Sequence, residues 1–487
     1  MYKNIKNRYF LLSAAGFLLI FLIKFISFFK IIEYFPLNDA TDLSLKLSEL
    51  HFLANYGFHS IIPYWYNGFK LFEIYPPGWY YFSLPVYYIT NNLQLTALIS
   101  LILILILGFF ASFLLFKKTY ERIIFFIFFF MNPIVIDYIF FIGRFPELFA
   151  WVLYLFIFYI IMAYKNRDLD KYFYLQLIIL FSLILITHQY VAFLSLFLLF
   201  LLFLIKSKKE RILIVLSLLI VFLMVSFFWV DFLKIMLNNP YAFYPTVTHK
   251  TNLILLDSII SFNTFILLAF FIIFYFYQKE YITAKKDKLF YYPVLILGIL
   301  IATRLILLIP LFNEVPPNSY NLFFLSFSLF FLSKTKFPKN ITNIIIVSLL
   351  ILPILSGILI FEFRPERNLE YTPKQEEIIF YFEKIEGRYI IINNQKISQD
   401  GLIAIATINY NLSTPQGLFE TQLPKELYER FILTDKALEK NNCKEINENL
   451  KILNVNNLIA DLSSCKNLKR CYSITIENTN SCLITFK

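Results

Sequence analysis

Cysteine is absent from the first 442 residues of this 487-residue chain, so the long apolar part of the sequence has no thiol ligand and no disulfide. All four cysteines lie in the last 45 residues, at Cys443, Cys465, Cys471 and Cys482. An even number in a polar region favours two disulfides in an oxidising compartment. No pair is spaced as C-x-x-C, which makes zinc the less favoured alternative, although spacing alone leaves both open.

Concentrated positive charge is missing too. The net charge is +11, yet residues 363–487 balance 16 basic with 16 acidic side chains, so the excess lies within residues 1–362. It occupies short loops, where Lys and Arg orient membrane spans. Nucleic acid binds one continuous basic surface, so it is excluded as a partner. Internal repeats are also missing, which disfavours a transporter built from inverted repeats.

Apolar residues dominate what is present. The chain is 59% hydrophobic and 20% aromatic, with repeated runs near 20 residues. This composition predicts a polytopic α-helical membrane protein with about eleven spans. The first run lacks a small-residue cleavage site, so we expect it to be retained as a span. The predicted spans are 9–32, 94–116, 122–141, 147–164, 171–187, 189–206, 211–230, 264–278, 289–309, 320–334 and 340–361.

The basic loops give a consistent topology. They lie near 117–122, 165–167, 206–211, 279–288 and 334–339. Placing them and the N-terminus in the cytoplasm satisfies the positive-inside rule. The segment Tyr80–Thr90 is the ambiguous case, because a full crossing there would invert every later loop. Its tyrosines and Pro85 are typical of the membrane interface, so we expect it to lie at the outer interface or dip partway.

The sequence changes character after Phe361. We therefore divide the chain into a membrane module, 1–362, whose first outer loop is 33–93, and an extracytoplasmic α/β domain, 363–487. A domain of about 120 residues is of ordinary size. Its predicted strands are 388–392, 402–406, 453–460 and 472–476, and its predicted helix is 426–440.

The first outer loop gathers acidic residues. Asp39 and Asp42 precede a helical pattern in which Leu43, Leu47 and Leu50 share one face. Lys46 and Glu49 fall on another face, alongside Asp42. This pattern predicts an amphipathic helix lying on the membrane surface.

Each predicted outer turn carries an ionisable residue within apolar sequence. Such residues are costly at membrane depth and usually face a cavity or a partner. The alternative is that they cap helices or snorkel to the interface. Their collection on one face is the strongest functional signal in the chain. They include Asp137, Arg144, Glu147, His188 and Arg304.

Carboxylates and arginines at an outer-edge cavity suit a lipid-linked phosphate. Arginine forks bind phosphate oxygens, and a carboxylate acts as a general base or holds a divalent cation. Trp65 and Tyr75 are candidates to contact a sugar, although interface anchoring is the commoner role of such residues.

Several short motifs together resemble the GT-C superfamily of polyprenyl-phosphate-dependent membrane glycosyltransferases. More narrowly, the chain is similar to the branch called 6-pyruvoyl-tetrahydropterin-synthase-related membrane proteins, a label that implies no pterin chemistry here. The motifs are NDATD at 38–42, the W…G…YPP pattern from Trp65 to Pro77, GRFPE at 143–147, THQ at 187–189 and LNVNNLIAD at 453–461.

The resemblance implies that Asp39 activates the acceptor or is linked to a metal, and that the tail is an accessory domain. We therefore expect a cell-membrane glycosyltransferase with Asp39 and Asp42 as its catalytic carboxylates. The expected donor is a polyprenyl-phosphate sugar, and the expected acceptor is an envelope glycan, lipid or protein. Substrate contacts are predicted at Arg144, Arg304, His188, Trp65 and Tyr75, and Mg²⁺ or Mn²⁺ ligands at Glu147 and Asp137.

Two other functions remain open at this point. One is a transporter or flippase for a lipid-linked or anionic substrate, which predicts inverted repeats and broken helices. The other is a non-catalytic envelope protein whose outer domain recruits partners. The latter predicts that Asp39 and Arg144 tolerate substitution while the tail does not.

Overall fold

A computed structural model describes residues 2–37, 42–238, 262–362, 369–392, 400–418 and 423–486. Every apolar run named above forms helix within these ranges. The membrane module contains α1 (Tyr2–Phe28), α2 (Leu43–Tyr56), α3 (Gly78–Thr90), α4 (Leu93–Leu115), α5 (Thr119–Phe130), α6 (Pro133–Ile136), α7 (Phe145–Tyr164), α8 (Lys171–Leu185), α9 (Gln189–Ile205), α10 (Lys208–Met224), α11 (Ser226–Asn238), α12 (Phe262–Tyr281), α13 (Lys285–Ala302), α14 (Pro317–Lys334) and α15 (Lys339–Glu362).

The helices pack as a bundle. Helix α1 lies against α15, α4 against α5 and α7, and α12 against α14. A π-helix, Asp137–Ile142, continues α6 and ends at Gly143, which has the left-handed backbone that glycine adopts easily. A hairpin of two short strands, β1 (Ile61–Ile62) and β2 (Phe69–Lys70), lies between α2 and α3.

Fewer helices than eleven meet the criteria for a membrane span. Among the described residues, three are long and apolar enough, at Arg8–Ile32, Leu93–Leu115 and Phe145–Tyr164. Two bent pairs raise the number to five if each counts as one span, with bends of 50° between α5 and α6 and 78° between α10 and α11. The chain is a membrane protein by these helices, and eleven spans stay a prediction.

Helix α3 covers the segment whose crossing was ambiguous. Its 13 residues extend roughly 20 Å at 1.5 Å per residue. A hydrocarbon core is about 30 Å thick, so this helix alone is too short to cross it. Its length agrees with the predicted interfacial position, and the orientation of the later loops stays a prediction.

The C-terminal region forms the expected mixture of helices and strands. Its elements are α16 (Pro373–Phe382), β3 (Tyr389–Ile392), α17 (Asp400–Tyr410), α18 (Lys425–Glu439), α19 (Cys443–Ile452), β4 (Asn457–Asp461), α20 (Leu462–Leu468), β5 (Ile476–Glu477) and β6 (Ser481–Thr485). The strand order is β3-β4-β6-β5, with β3 and β4 parallel and the other pairs antiparallel. The domain boundary stays a prediction, since residues 363–368 lie outside the described ranges.

Both predicted disulfides are present, and the structure pairs Cys443 with Cys471 and Cys465 with Cys482. Cys465 and Cys482 are buried in a core built from the strands and α18–α20. The zinc alternative is therefore wrong, because every cysteine sulfur is used in a disulfide.

Three predictions of secondary structure need correction. The predicted strand 402–406 is part of helix α17, which is buried on all sides over this stretch, and a fully buried helix has the continuous apolar run of a buried strand. Only Ile476 of the predicted strand 472–476 belongs to a strand, and β6 was not predicted. The predicted strand 453–460 begins later, at Asn457.

Helix α2 is not the amphipathic surface helix that its sequence suggests. Lys46 and Glu49 are each 1% exposed and lie in the interior with the leucines. The spacing of polar residues placed them correctly on one helix face. That face packs against a buried, polar part of the protein instead of water.

Candidate active site

Two of the sequence motifs meet at Gly143. A Cβ added to Gly143 would lie 2.6 Å from Leu43 Cβ and 2.8 Å from Leu43 N, so only glycine permits this approach. The backbone N–H of Asp42 donates to the carbonyl of Ile142 next to it. The end of the NDATD segment is thus held against the GRFPE turn.

The end of the W…G…YPP motif meets the THQ motif at Gly78 in the same way. Its N–H donates to Ile186 O at 2.6 Å, and an added Cβ would lie 2.7 Å from that oxygen. The same Cβ would also collide with the Thr187 hydroxyl. The PPGW segment is therefore packed directly on the THQ turn, beside His188.

Glu147 lies fully buried where these segments converge. Its Oε1 accepts hydrogen bonds from Tyr138 Oη at 2.9 Å and Ser319 Oγ at 2.6 Å. Its Oε2 lies 3.6 Å from Arg144 Nη1 and 3.8 Å from His188 Nε2. One carboxylate thus joins the π-helix, the GRFPE turn, the THQ turn and α14.

Arg144 connects this buried carboxylate to the surface. Its Nε lies 3.6 Å from Asp42 Oδ2, while another of its nitrogens faces Glu147. The side chains of Arg144 and Asp42 are 29% and 47% exposed, against 0% for Glu147. A guanidinium that is held by these carboxylates and is partly exposed can bind an anionic ligand through its remaining N–H groups.

A second cluster of buried polar side chains is centred on α2 itself. Lys46 Nζ sits 3.4 Å from the centre of the Tyr75 ring and 3.7 Å from Glu49 Oε2. The Tyr80 hydroxyl donates to the same oxygen, Glu49 Oε2. Burial lowers the pKa of Lys46 and raises the pKa of Glu49, against the attraction between the two groups.

Tyr75 links the two groups. Its ring lies over Lys46 and 6.4 Å from the His188 ring, and burial raises its pKa well above 10. The tyrosine is therefore a neutral hydroxyl at physiological pH, close to both Asp42 and Glu147. The predicted substrate contact at Tyr75 stays a prediction.

Burial lowers the pKa of His188 to about 4; the negative charge of Glu147 opposes this shift, and the positive charges of Arg144 and Lys46 add to it. The unfolded pKa is about 6.5, so the unfolded chain binds more protons between these values. The contribution of the neutral His188 to stability is therefore fully present above about pH 6.5, and it is lost as the pH falls toward 4.

We expect the apparent melting temperature of the solubilised protein to fall as the pH is lowered from about 7 to 5. The corresponding loss in the free energy of unfolding is roughly 2 kcal/mol. His188→Gln should flatten this dependence. His59→Gln is the comparison: burial also lowers the pKa of His59, but its side chain is more exposed, at 18% against 8%, so His59→Gln should flatten the dependence less than His188→Gln. An unchanged slope in His188→Gln would show that another group titrates.

The structure does not bring all predicted residues together. Arg304 is exposed beyond α13, with a left-handed backbone, and forms no ion pair with any described residue. Trp65 is buried and donates from Nε1 to Thr407 Oγ1 at 2.9 Å, so it anchors α17 instead of facing a substrate. Asp137 begins the π-helix, and Asp39 lies outside the described residues.

Sequence reasoning missed several residues of this site. Lys46 and Glu49 were assigned to a solvent face, although a charged pair three residues apart is compatible with either environment. Tyr138 carried a usable signal, since it stands in the same short turn as Glu147. Ser319 and Tyr80 carried none, because only the folded chain brings them to a carboxylate.

The described residues around Glu147 do not fit a divalent cation. Oε1 already accepts two hydrogen bonds, and Oε2 faces the positively charged Arg144 guanidinium and the His188 ring. A cation bound there would be repelled by the Arg144 guanidinium. Across the described ranges, no three His, Cys, Asp or Glu side chains group in a manner suited to a metal.

Comparison with known proteins shows the fold. No known family profile and no curated protein matches the sequence. Among solved structures, the arabinofuranosyltransferase AftD from Mycobacteria matches over 93% of this chain, with a TM-score of 0.56 and 13% identity. A variant of that enzyme matches over 98%, with a TM-score of 0.58 and 12% identity.

An archaeal enzyme matches as well. The oligosaccharyltransferase of Archaeoglobus fulgidus, tethered to an acceptor peptide, matches over 92% of this chain with a TM-score of 0.53 and 10% identity. This chain spans 70% of the archaeal enzyme and 35% or 41% of the mycobacterial ones. The neighbours are GT-C glycosyltransferases, and this chain has their fold. The narrower branch named above stays a prediction.

Proposed function

We propose that this protein is a membrane glycosyltransferase that moves a sugar from a polyprenyl-phosphate donor to an acceptor on the outer face. The observation that carries the proposal is the convergence of the NDATD, YPPGW, GRFPE and THQ segments around Arg144. These segments are far apart in sequence; they pack in pairs at Gly143 and Gly78, and Glu147 joins the two pairs through Arg144 and His188.

The proposed reaction joins an acceptor oxygen to the anomeric carbon of the donor sugar. The bond from that carbon to the phosphate oxygen breaks, and polyprenyl phosphate leaves with the bonding electrons. Asp39 takes the proton from the acceptor hydroxyl as general base. Arg144 contacts the phosphate and stabilises its developing charge, while Asp42 keeps the guanidinium in place.

Glu147 and His188 support this arrangement from the interior. The buried carboxylate compensates the charge of Arg144 and fixes its direction. His188 is neutral at physiological pH, so it adds no charge beside the phosphate site. The proposed orientation has the N-terminus in the cytoplasm and the C-terminal domain outside, which follows from the basic loops.

The donor class gives the direct test. Purified full-length protein in nanodiscs is given a labelled sugar on polyprenyl phosphate or, separately, on a nucleoside diphosphate, with envelope extract as acceptor. We expect incorporation from the lipid-linked donor alone. Incorporation from the nucleotide sugar alone would overturn the proposed donor. Movement of the labelled lipid across the bilayer without transfer would favour the flippase alternative.

A further inference from the structure

A cluster of uncharged hydrogen-bonding side chains lies at the far end of α2 from Arg144. Helix α2 is buried from Leu43 to Leu53 except at the half-buried His51, and only Asn55 and Tyr56 at its end are exposed. There it meets the hairpin loop and α17 of the C-terminal domain. We name this cluster the α2–α17 patch; its members are His51, Asn55, Tyr56, Tyr64 and Asn411.

The patch is a connected polar surface with aromatic faces. Tyr56 and Tyr64 share a hydrogen bond of 2.9 Å between their hydroxyls, and Tyr64 Oη also reaches Asn411 Oδ1 at 3.5 Å. Asn55 Nδ2 donates to His51 O at 2.8 Å. The side chains of Asn55, Tyr56 and Asn411 are exposed, so their remaining donors and acceptors face solvent.

The patch is also held rigidly. The buried Phe52 ring stacks behind Tyr64, with an angle of 10° between the rings. The carbonyl of Tyr64 accepts from Thr414 N at 2.7 Å, and the adjacent Trp65 is bonded to Thr407. Rigid tyrosines with nearby amides give contact area and hydrogen bonds at low entropic cost.

From this juxtaposition we propose that the α2–α17 patch binds a neutral oligosaccharide, as a subsite for the acceptor of the proposed transferase. The C–H faces of sugar rings stack on aromatic rings, and sugar hydroxyls pair with amides and phenols. None of the five side chains is a Lys, Arg, Asp or Glu, so the hydrogen bonds that they offer suit a neutral ligand. This assignment of the acceptor rests on the proposed function, whereas binding itself does not.

The length of α2 determines the distance between the patch and the proposed reaction site at Arg144. Its 14 residues place the patch roughly 20 Å from the Arg144 end of the helix. A single sugar ring cannot span that distance. The ligand is therefore an oligosaccharide chain, and the patch holds a part of it remote from the reacting hydroxyl.

Binding is tested without catalysis. Full-length protein in nanodiscs is screened on an array of neutral hexose and N-acetylhexosamine oligosaccharides, and the best ligand is titrated calorimetrically. We expect Tyr64→Ala and Asn55→Ala each to weaken binding about tenfold or more. Tyr472→Ala is the matched control, because Tyr472 pairs with the Asn447 amide elsewhere in the C-terminal domain, at 2.8 Å, and should leave binding unchanged.

Each outcome decides the proposal. Absence of binding on the array, or equal weakening in Tyr472→Ala, would overturn it. Asn55→Ala keeps the test usable if Tyr64→Ala fails to fold, since Asn55 is exposed. Binding of the oligosaccharide by the wild-type protein without any sugar transfer would remove the proposed function and leave the glycan site in place.

Discussion

Replacing Asp39 by Asn is expected to reduce sugar transfer about 100-fold or more, because an amide cannot take the proton of the acceptor hydroxyl. The substitution keeps the size of the side chain, so the amount of folded protein in the membrane should not change. Transfer from a labelled polyprenyl-phosphate donor, normalised to protein, gives the measurement. Full activity of Asp39→Asn would remove this residue from the proposed chemistry.

Asp42→Asn provides the contrast. Its carboxylate is half exposed and lies 3.6 Å from Arg144, and such pairs contribute at most about 1 kcal/mol. We therefore expect a loss of less than about tenfold. If Asp42→Asn were the more damaging change, the general base would be Asp42, and Asp39 would have a supporting position.

Replacing Glu147 by Ala is expected to lower the free energy of unfolding by roughly 3–5 kcal/mol. The change leaves the hydroxyls of Tyr138 and Ser319 without their acceptor and the Arg144 guanidinium without its buried counter-charge. Thermal unfolding of the protein in nanodiscs, followed by intrinsic fluorescence, reports the loss as a lower apparent melting temperature.

Two variants make this result specific. Glu147→Gln retains an acceptor for the hydroxyls and should lose less stability than Glu147→Ala. Glu370→Ala breaks an exposed pair with Lys30, where the side chains are 46% and 52% exposed, and should change stability by no more than about 1 kcal/mol. Equal behaviour of Glu147→Ala and Glu370→Ala would contradict the central position of Glu147.

The sequence predicted the helices well because long apolar runs have few alternatives. Every predicted span contains an α-helix, although some are interrupted or end early, and the two disulfides lie in the region where they were expected. Bends are less visible in sequence. The 78° bend between α10 and α11 falls inside one apolar run, 211–230, which the sequence presents as continuous.

The candidate site was only half visible. Arg144, Glu147 and His188 were found because ionisable residues stand out in apolar sequence. Arg304 had the same signal, yet it is exposed and forms no ion pair with any described residue, because sequence gives the side of the membrane and not the distance between turns. Lys46 was hidden for the opposite reason, because the charges of α2 matched a surface pattern while the helix is buried.

The first outer loop shows most clearly which properties depend on the sequence alone and which depend on tertiary packing. The sequence by itself determined that acidic residues gather there, that an α-helix follows them and that the chain belongs in a membrane, because composition and local periodicity suffice for these properties. Only the tertiary structure decided that α2 is buried, that Gly143 and Gly78 bring four motifs together and that Glu147 joins them. Contacts between residues far apart in the chain depend on packing, and packing has no local signal.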